Sequence, residues 1–215
     1  MSFSFDLYWS FRSPYSYLAT HRLVALEHTY DLTINVKPVH PIAVRMPDFF
    51  DRIDPKWLGY IINDCKRIAE KENLTFIFPK PDPIVQNMET REIAPEQPYI
   101  HRLTRLGIAA TRRGKGLAFL DEASRLIFGG TVGWDEGPHL AGAAERAGLD
   151  LAEMETAIAA DEAGHDEEIE ANQADQLEAG HWGVPLMVFN GEPFFGQDRI
   201  DLLVWRMEKA GLERR

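Results

Sequence analysis

Ser13-Pro14-Tyr15-Ser16 sets two hydroxyls three residues apart where a strand pattern gives way to a helix pattern. Phe3, Phe5, Leu7 and Trp9 alternate with Ser4, Asp6 and Tyr8, which is the period of a β-strand. Ser13 then suits a helix N-cap and Pro14 the first helical position, where a missing N–H costs nothing. The Ser13 hydroxyl thus falls at the positive end of a helix dipole, a place to hold an anion or a thiolate. A hydrogen bond to an ionised group is worth roughly 1.5–3 kcal/mol, or about one to two units of thiol pKa. The plain alternative is that Ser13 only caps its helix. Ser16, one turn further on, reads as facing the helix interior or the core.

Several elements must position that hydroxyl. Pro14 to about His28 reads as a helix with Tyr17, Leu18, His21, Leu23 and Leu26 toward the core, and 31–38 as a second strand carrying Leu32, Ile34 and Val36. Together they form a βαβ unit, which favours a parallel pair. Residues 40–55, with Pro41, Pro47 and Pro55, read as a long loop, and such loops are often functional. Helices are predicted over 56–73, 97–113, 117–128, 137–147, 151–160 and 166–179, so that 56–179 is almost all helix apart from an irregular, proline-rich 76–98. Strand character returns at 185–189, a turn is predicted at Gly191-Glu192, and Pro193 to Phe195 forms a return strand. An amphipathic helix over 198–209 closes the chain. The predicted fold class is α/β: a thioredoxin-like core, βαβ…ββα, with a large all-helical insertion. Residues 1–55 and 180–215 are expected to form the core domain and 56–179 the insertion.

Composition narrows the function classes. The chain has 215 residues, 45% of them hydrophobic and 27% charged, as expected of a soluble globular protein. No apolar run reaches membrane-span length, and the N-terminal segment reads as a strand rather than a signal peptide. The one cysteine, Cys65, has no internal disulfide partner, so a cytoplasmic location is the default expectation. Of the 34 acidic residues behind the net charge of −11, thirteen fall between Ala147 and Asp198, a stretch without Lys or Arg. An acidic chain with no basic stripe is a poor nucleic-acid binder.

The Ser13–Ser16 spacing is that of a Cys-x-x-Cys redox motif with both sulfurs replaced by oxygen. Together with Gly183-Val184-Pro185 and Phe195-Gly196-Gln197-Asp198-Arg199, this stretch resembles the 2-hydroxychromene-2-carboxylate isomerases and kappa-class glutathione transferases, relatives of the DsbA-type thioredoxin fold. The resemblance implies glutathione as cofactor, with Ser13 stabilising its thiolate. It implies a cis Val184–Pro185 bond facing Ser13, whose Val184 backbone pairs with the peptide as an added strand. Asp198, otherwise a plain N-cap, is expected to grip the γ-glutamyl end, with Arg199 meeting its carboxylate, and Lys56 to contact the glycyl carboxylate. The loop after the second strand lacks the asparagine of the family pattern; Arg45 or Asp48 are the substitutes at hand. Tyr60, Asp64 and Arg67 match the family's next helix, although Asp64 and Arg67 could be only a surface ion pair.

The activity so implied is a glutathione-dependent isomerisation of a small, unsaturated, aromatic-derived acid. A kappa-class-like transferase remains open, as does a non-catalytic module that grips extended peptides at Pro185. A homodimer is carried over from the family as an expectation. Trp9, Phe11, Tyr15 and Trp182 could line an aromatic pocket or simply belong to the core. His21 and His40 read as structural histidines before acid–base candidates, and His165-Asp166-Glu167-Glu168 as a helix start rather than a metal site. No metal-ligand spacing is present.

Overall fold

The computed structural model describes residues 3–49, 52–87, 90 and 92–215. Of the two stretches read as irregular, 40–55 and 76–98, residues 50, 51, 88, 89 and 91 lie outside the described residues.

Strand β1 (Phe3–Trp9) lies parallel to β2 (Leu32–Pro38) in the register Phe3 to Leu32 and Trp9 to Pro38. Helix α1 (Pro14–Thr29) connects them. Strand β3 (Leu186–Phe189) runs antiparallel to β1, and β4 (Glu192–Phe195) antiparallel to β3, giving the sheet order β2-β1-β3-β4. The βαβ…ββα thioredoxin-like core expected from the pattern is therefore the observed one. The turn between β3 and β4 is shifted by one residue from its expected place. Asn190 and Gly191 both take left-handed φ (51° and 79°), as a two-residue type I′ hairpin requires, and Glu192 already belongs to β4.

Between β2 and β3 come α2 (Ile42–Arg45), α3 (Pro55–Lys71), α4 (Pro98–Arg112), α5 (Gly116–Phe128), α6 (His139–Arg146), α7 (Leu151–Ala160) and α8 (Glu162–Glu178). The long loop expected over 40–55 therefore holds a single helical turn, α2, begun at Pro41. Helix α8 begins four residues before its predicted start, so His165 to Glu168 lie inside it rather than at its first turn. A 3-10 turn over Gln197–Arg199 precedes the closing helix α9 (Ile200–Lys209).

The core is continuous between sheet and helices. Phe5, Leu7 and Trp9 of β1 pack with Leu18 and Leu23 of α1, Ile100, Leu103 and Leu106 of α4, Phe119 and Leu120 of α5, and Leu203 and Met207 of α9. An aromatic chain runs through it: Trp9 meets Phe11 edge-on at 4.8 Å, and Phe11 meets Phe119 at 6.0 Å. Helix α4 approaches this chain closely because Gly107 lacks a side chain. A Cβ there would stand 3.0 Å from the Phe11 ring and 3.1 Å from Pro38.

The acidity of 147–198 is largely answered from α4. Arg102 pairs with Glu155 of α7, Arg105 with Asp166 and Glu162, and Arg112 with Glu168 and Asp161. Each pair is partly exposed and contributes at most about 1 kcal/mol, but together they tie α7 and α8 to α4. Lys37 of β2 reaches Asp175 at 2.9 Å on the same helix.

Phe119 joins the helical segment to the loop that carries Ser13. Phe119→Ala is expected to lower stability by about 3–5 kcal/mol, read as a shift of the urea unfolding midpoint.

Candidate functional site

Ser13 is the N-cap of α1, with extended backbone (φ −86°, ψ 115°). Its Oγ accepts from the Ser16 N–H at 3.2 Å and donates to the Val184 carbonyl at 3.3 Å. The same oxygen thus caps α1 and joins the Val184 segment, across 171 residues of sequence. The Val184–Pro185 bond is cis, as expected. Ser16 is fully buried, and its own hydroxyl has no partner among the described residues.

The segment beside Ser13 is held by its carbonyls. Trp182 O accepts from Arg45 Nη2 at 2.8 Å, Gly183 O from Gln176 Nε2 at 2.7 Å, Val184 O from Ser13 Oγ, and Pro185 O from the Gly196 N–H at 2.9 Å. The four donors come from α2, α8, the cap of α1 and the end of β4. The N–H groups are treated differently. Gly183 N–H donates to His181 Nδ1 at 2.9 Å, whereas the Val184 N–H has no partner among the described residues. Val184 is half-buried, so this donor stands at the edge of the site.

Asp198 and Arg199 pair with each other at 3.1 Å, both more than half exposed. Asp198 makes no side-chain cap, because the chain enters α9 through the 3-10 turn instead. Its carboxylate lies against Gly196, whose left-handed φ of 105° leaves no room for a Cβ: one would stand 2.7 Å from Asp198 Oδ1. The Gly196 N–H that holds Pro185 and the Asp198 carboxylate are therefore fixed by one turn. Lys56 sits exposed on the first turn of α3 and makes no side-chain contact with Ser13 or residues 182–185 among the described residues. Helix α3 is tied to the site lower down, where the Tyr15 hydroxyl donates to Asp64 Oδ2 at 2.8 Å. Lys56, Tyr60 and Asp64 share one helix stripe, so Lys56 lies about 12 Å along the axis from that bond. Asp64 thus serves Tyr15, and the alternative of a surface pair with Arg67 is not formed among the described residues. Burial first, and then the bond to Asp64, raise the Tyr15 phenol far above its ordinary range and keep it neutral.

Trp9 and Phe11 are wholly buried and belong to the core, not to a pocket wall. Of the aromatics named from the sequence, Trp182 does contribute aromatic surface at the site, together with His181, Phe195 and Phe49. His181 stacks on Phe195 at 3.8 Å, Phe49 meets Trp182 at 4.8 Å, and Trp182 and Phe195 are about 40% exposed. His21 pairs with Glu72 at 3.4 Å, a structural role.

Gln176, fully buried in the acidic α8, holds the segment without a clear signal in the sequence; Arg45, which ends the short α2, is one of the two residues named from the sequence in place of the family asparagine. The Arg45 guanidinium has no carboxylate within ion-pair distance among the described residues; its partners are Gln176 Oε1 at 3.0 Å and Trp182 O, and its Nε is buried without a partner. Burial pulls its pKa down to about 10, so it stays charged at neutral pH. Beside it opens a cavity of about 610 Å³ lined by His40, His101, Arg105, Asp166, Glu170 and Gln173, among others. The His40 and His101 rings meet edge-on at 4.7 Å. No group of three His, Cys, Asp or Glu among the described residues is arranged to hold a metal ion. No helix is long and apolar enough to cross a membrane among them either.

This cis-proline segment, packed against the cap of the first helix of a four-stranded mixed sheet, defines a thioredoxin-like protein of the DsbA type. The sequence model of the DSBA-like thioredoxin domain family matches residues 5–208, and the chain belongs to that family. The 2-hydroxychromene-2-carboxylate isomerase of Pseudomonas sp. (strain C18) is 27% identical over 206 residues, covering 92% of this chain and 87% of that one. The 2-hydroxychromene-2-carboxylate isomerase of Pseudomonas putida is 24% identical over 207 residues, covering 92% and 91%. A solved 2-hydroxychromene-2-carboxylate isomerase superposes with a TM-score of 0.72 at 22% identity, over 96% of this chain and 95% of its own. The resemblance drawn from the two separated motifs is borne out for family and fold.

Burial, and then the facing His101, hold the His40 imidazole down at about 4. Between that value and the ordinary 6.5 the unfolded chain binds the extra proton and the folded chain does not, so stability falls as pH drops through this window. The expected loss is up to about 3 kcal/mol. Urea titrations at pH 7 and pH 4.5 should show a smaller pH effect in His40→Gln than in the wild type.

Proposed function

We propose that the chain is a glutathione-dependent isomerase of unsaturated, aromatic-derived acids, resembling 2-hydroxychromene-2-carboxylate isomerase. The observation that carries this reading is the Ser13 hydroxyl at the Val184 carbonyl, next to the unpartnered Val184 N–H. A peptide that pairs with Val184 as an added strand needs one donor and one acceptor there. The acceptor is occupied by Ser13 Oγ–H, and the donor is free. When a peptide N–H takes over the Val184 carbonyl, the Ser13 proton is released to a new acceptor, and a thiolate beside the cap fits that role. The exchange replaces one hydrogen bond with another, so no polar group is left stranded. The Ser16 N–H continues to bind Ser13 Oγ and fixes the direction in which its proton points.

Bound glutathione would supply the thiolate nucleophile that the chain itself lacks, with both cysteines of the redox spacing replaced by serine. Asp198 would take the γ-glutamyl ammonium, breaking its present pair with Arg199, and Arg199 would turn to the neighbouring carboxylate. Lys56 would reach the glycyl carboxylate from the first turn of α3. Trp182, Phe195 and Phe49 offer a flat apolar wall to an aromatic-derived substrate. The names of the curated relatives support the reaction class, and the loss of both motif cysteines supports isomerisation over thiol–disulfide exchange.

Calorimetric titration of glutathione, with thiolate absorbance followed in parallel, tests the reading. The wild type is expected to bind and to show a thiolate signal near neutral pH. In Ser13→Ala the thiol pKa should rise by about one to two units, with turnover of a 2-hydroxychromene-2-carboxylate reduced about 10- to 100-fold at neutral pH. Failure of the wild type to bind millimolar glutathione would sink the enzyme reading and favour a peptide-binding module.

A further inference from the structure

The four bound carbonyls beside Ser13 do not have equivalent donors. Gln176 is fully buried, and its amide orientation is settled by chemistry. The guanidinium of Arg45 can only donate and the carbonyl of Gly183 can only accept, so Gln176 must turn Oε1 to the first and Nε2 to the second. The Gly183 carbonyl and the Val184 N–H are the two ends of one peptide unit. An unbroken line of polar groups therefore runs from the Arg45 guanidinium through the Gln176 amide and the Gly183–Val184 peptide to the unpartnered Val184 N–H. Each link polarises the next, an effect that strengthens in a low-dielectric interior. The Gln176–Gly183 bond, at 2.7 Å, is at the short end for amide N–H to oxygen.

Arg45 is suited to drive this line because no carboxylate answers its charge among the described residues. The other cations that meet α8, Lys37, Arg105 and Arg112, are each bound to two carboxylates. Arg45 also holds the preceding peptide through Trp182 O, whose Gly183 N–H is fixed by His181. A change at Arg45 thus reaches the Val184 N–H along two adjacent peptides and reaches the Ser13 hydroxyl along neither.

We propose that Arg45 and Gln176 are positioning residues that polarise and aim the Val184 N–H toward the carbonyl of a bound peptide, and so set the affinity for the peptide backbone separately from the activation of its thiol. The ligand class rests on the glutathione reading; the polarised N–H does not.

The test separates the two. In ligand-free protein labelled with 15N-valine, the Val184 amide proton is expected to move upfield in Gln176→Leu, which cuts the line, and in Arg45→Met, which removes its charge. Arg45→Lys should restore most of the wild-type shift. Glutathione and S-methylglutathione, which has no thiol to ionise, should both bind about three- to tenfold more weakly to Gln176→Leu, with the thiol pKa of bound glutathione unchanged. A Val184 shift that is the same in folded Gln176→Leu, Arg45→Met and wild type overturns the proposal, as does a Gln176→Leu variant that binds S-methylglutathione as well as the wild type does. If Gln176→Leu does not fold, the Met and Lys replacements at Arg45 decide by the same shift. If the wild type binds neither ligand, the glutathione reading fails, while the ligand-free shift still decides the polarisation.

Discussion

Four consecutive carbonyls, from Trp182 to Pro185, each need a donor just before β3 begins, and the rest of the site is arranged to supply them. Inside a sheet these groups would be satisfied by a neighbouring strand. Here the strand has not yet started, and a carbonyl left without a partner in a half-buried position costs about 1–3 kcal/mol. The answer comes from α2, α8, the cap of α1 and the end of β4, parts of the chain up to 171 residues apart. With these acceptors satisfied, the Val184 N–H next to the Ser13 contact is left without a partner among the described residues. The edge that could receive a ligand is what remains after the segment has met its own hydrogen-bonding needs.

Charge is distributed on the same principle. Helix α8 is acidic on the face turned to α4, where Arg102, Arg105 and Arg112 meet α7 and α8 carboxylates. Toward the sheet, besides Asp175 on Lys37, it carries amides: Asn172 binds Pro38 O at 3.1 Å, Gln173 the His40 N–H at 3.2 Å, and Gln176 both Arg45 and Gly183. Amides can donate and accept at once, so three of them join β2's exit and the cis-proline segment without introducing further charge. Arg45 alone among these cations is left facing neutral oxygens.

Much of this was legible in the sequence because alternation and helical spacing report burial directly. Phe5, Leu7 and Trp9, or Leu32, Ile34 and Val36, declare a buried strand face, and Ser13-Pro14 declares a cap. The parts that were not legible share a physical cause. Asn172, Gln173 and Gln176 sit in a helix that is polar on every side, and a polar face buried against backbone looks the same in one dimension as a polar face in water. Trp9 and Phe11 carry the same signature whether they line a pocket or fill a core, and only α4's approach at Gly107 decides for the core. The His40–His101 cavity joins residues on separate elements, which no local pattern marks. The hairpin falls one residue before the predicted Gly191-Glu192 turn, because Asn190 and Gly191 are the pair that accepts left-handed φ at both positions, which leaves Glu192 to pair with Phe189.

The single cysteine has a consequence of its own. Cys65 is fully buried in α3, and burial followed by the neighbouring Asp64 charge pushes its thiol up to about 12. At neutral pH it is neither ionised nor within reach of an oxidant or a disulfide. Under the proposed function, an accessible thiol of the chain's own would risk capture by glutathione as a mixed disulfide. With its one thiol sealed in the core, this chain presents no sulfhydryl at its surface for disulfide exchange.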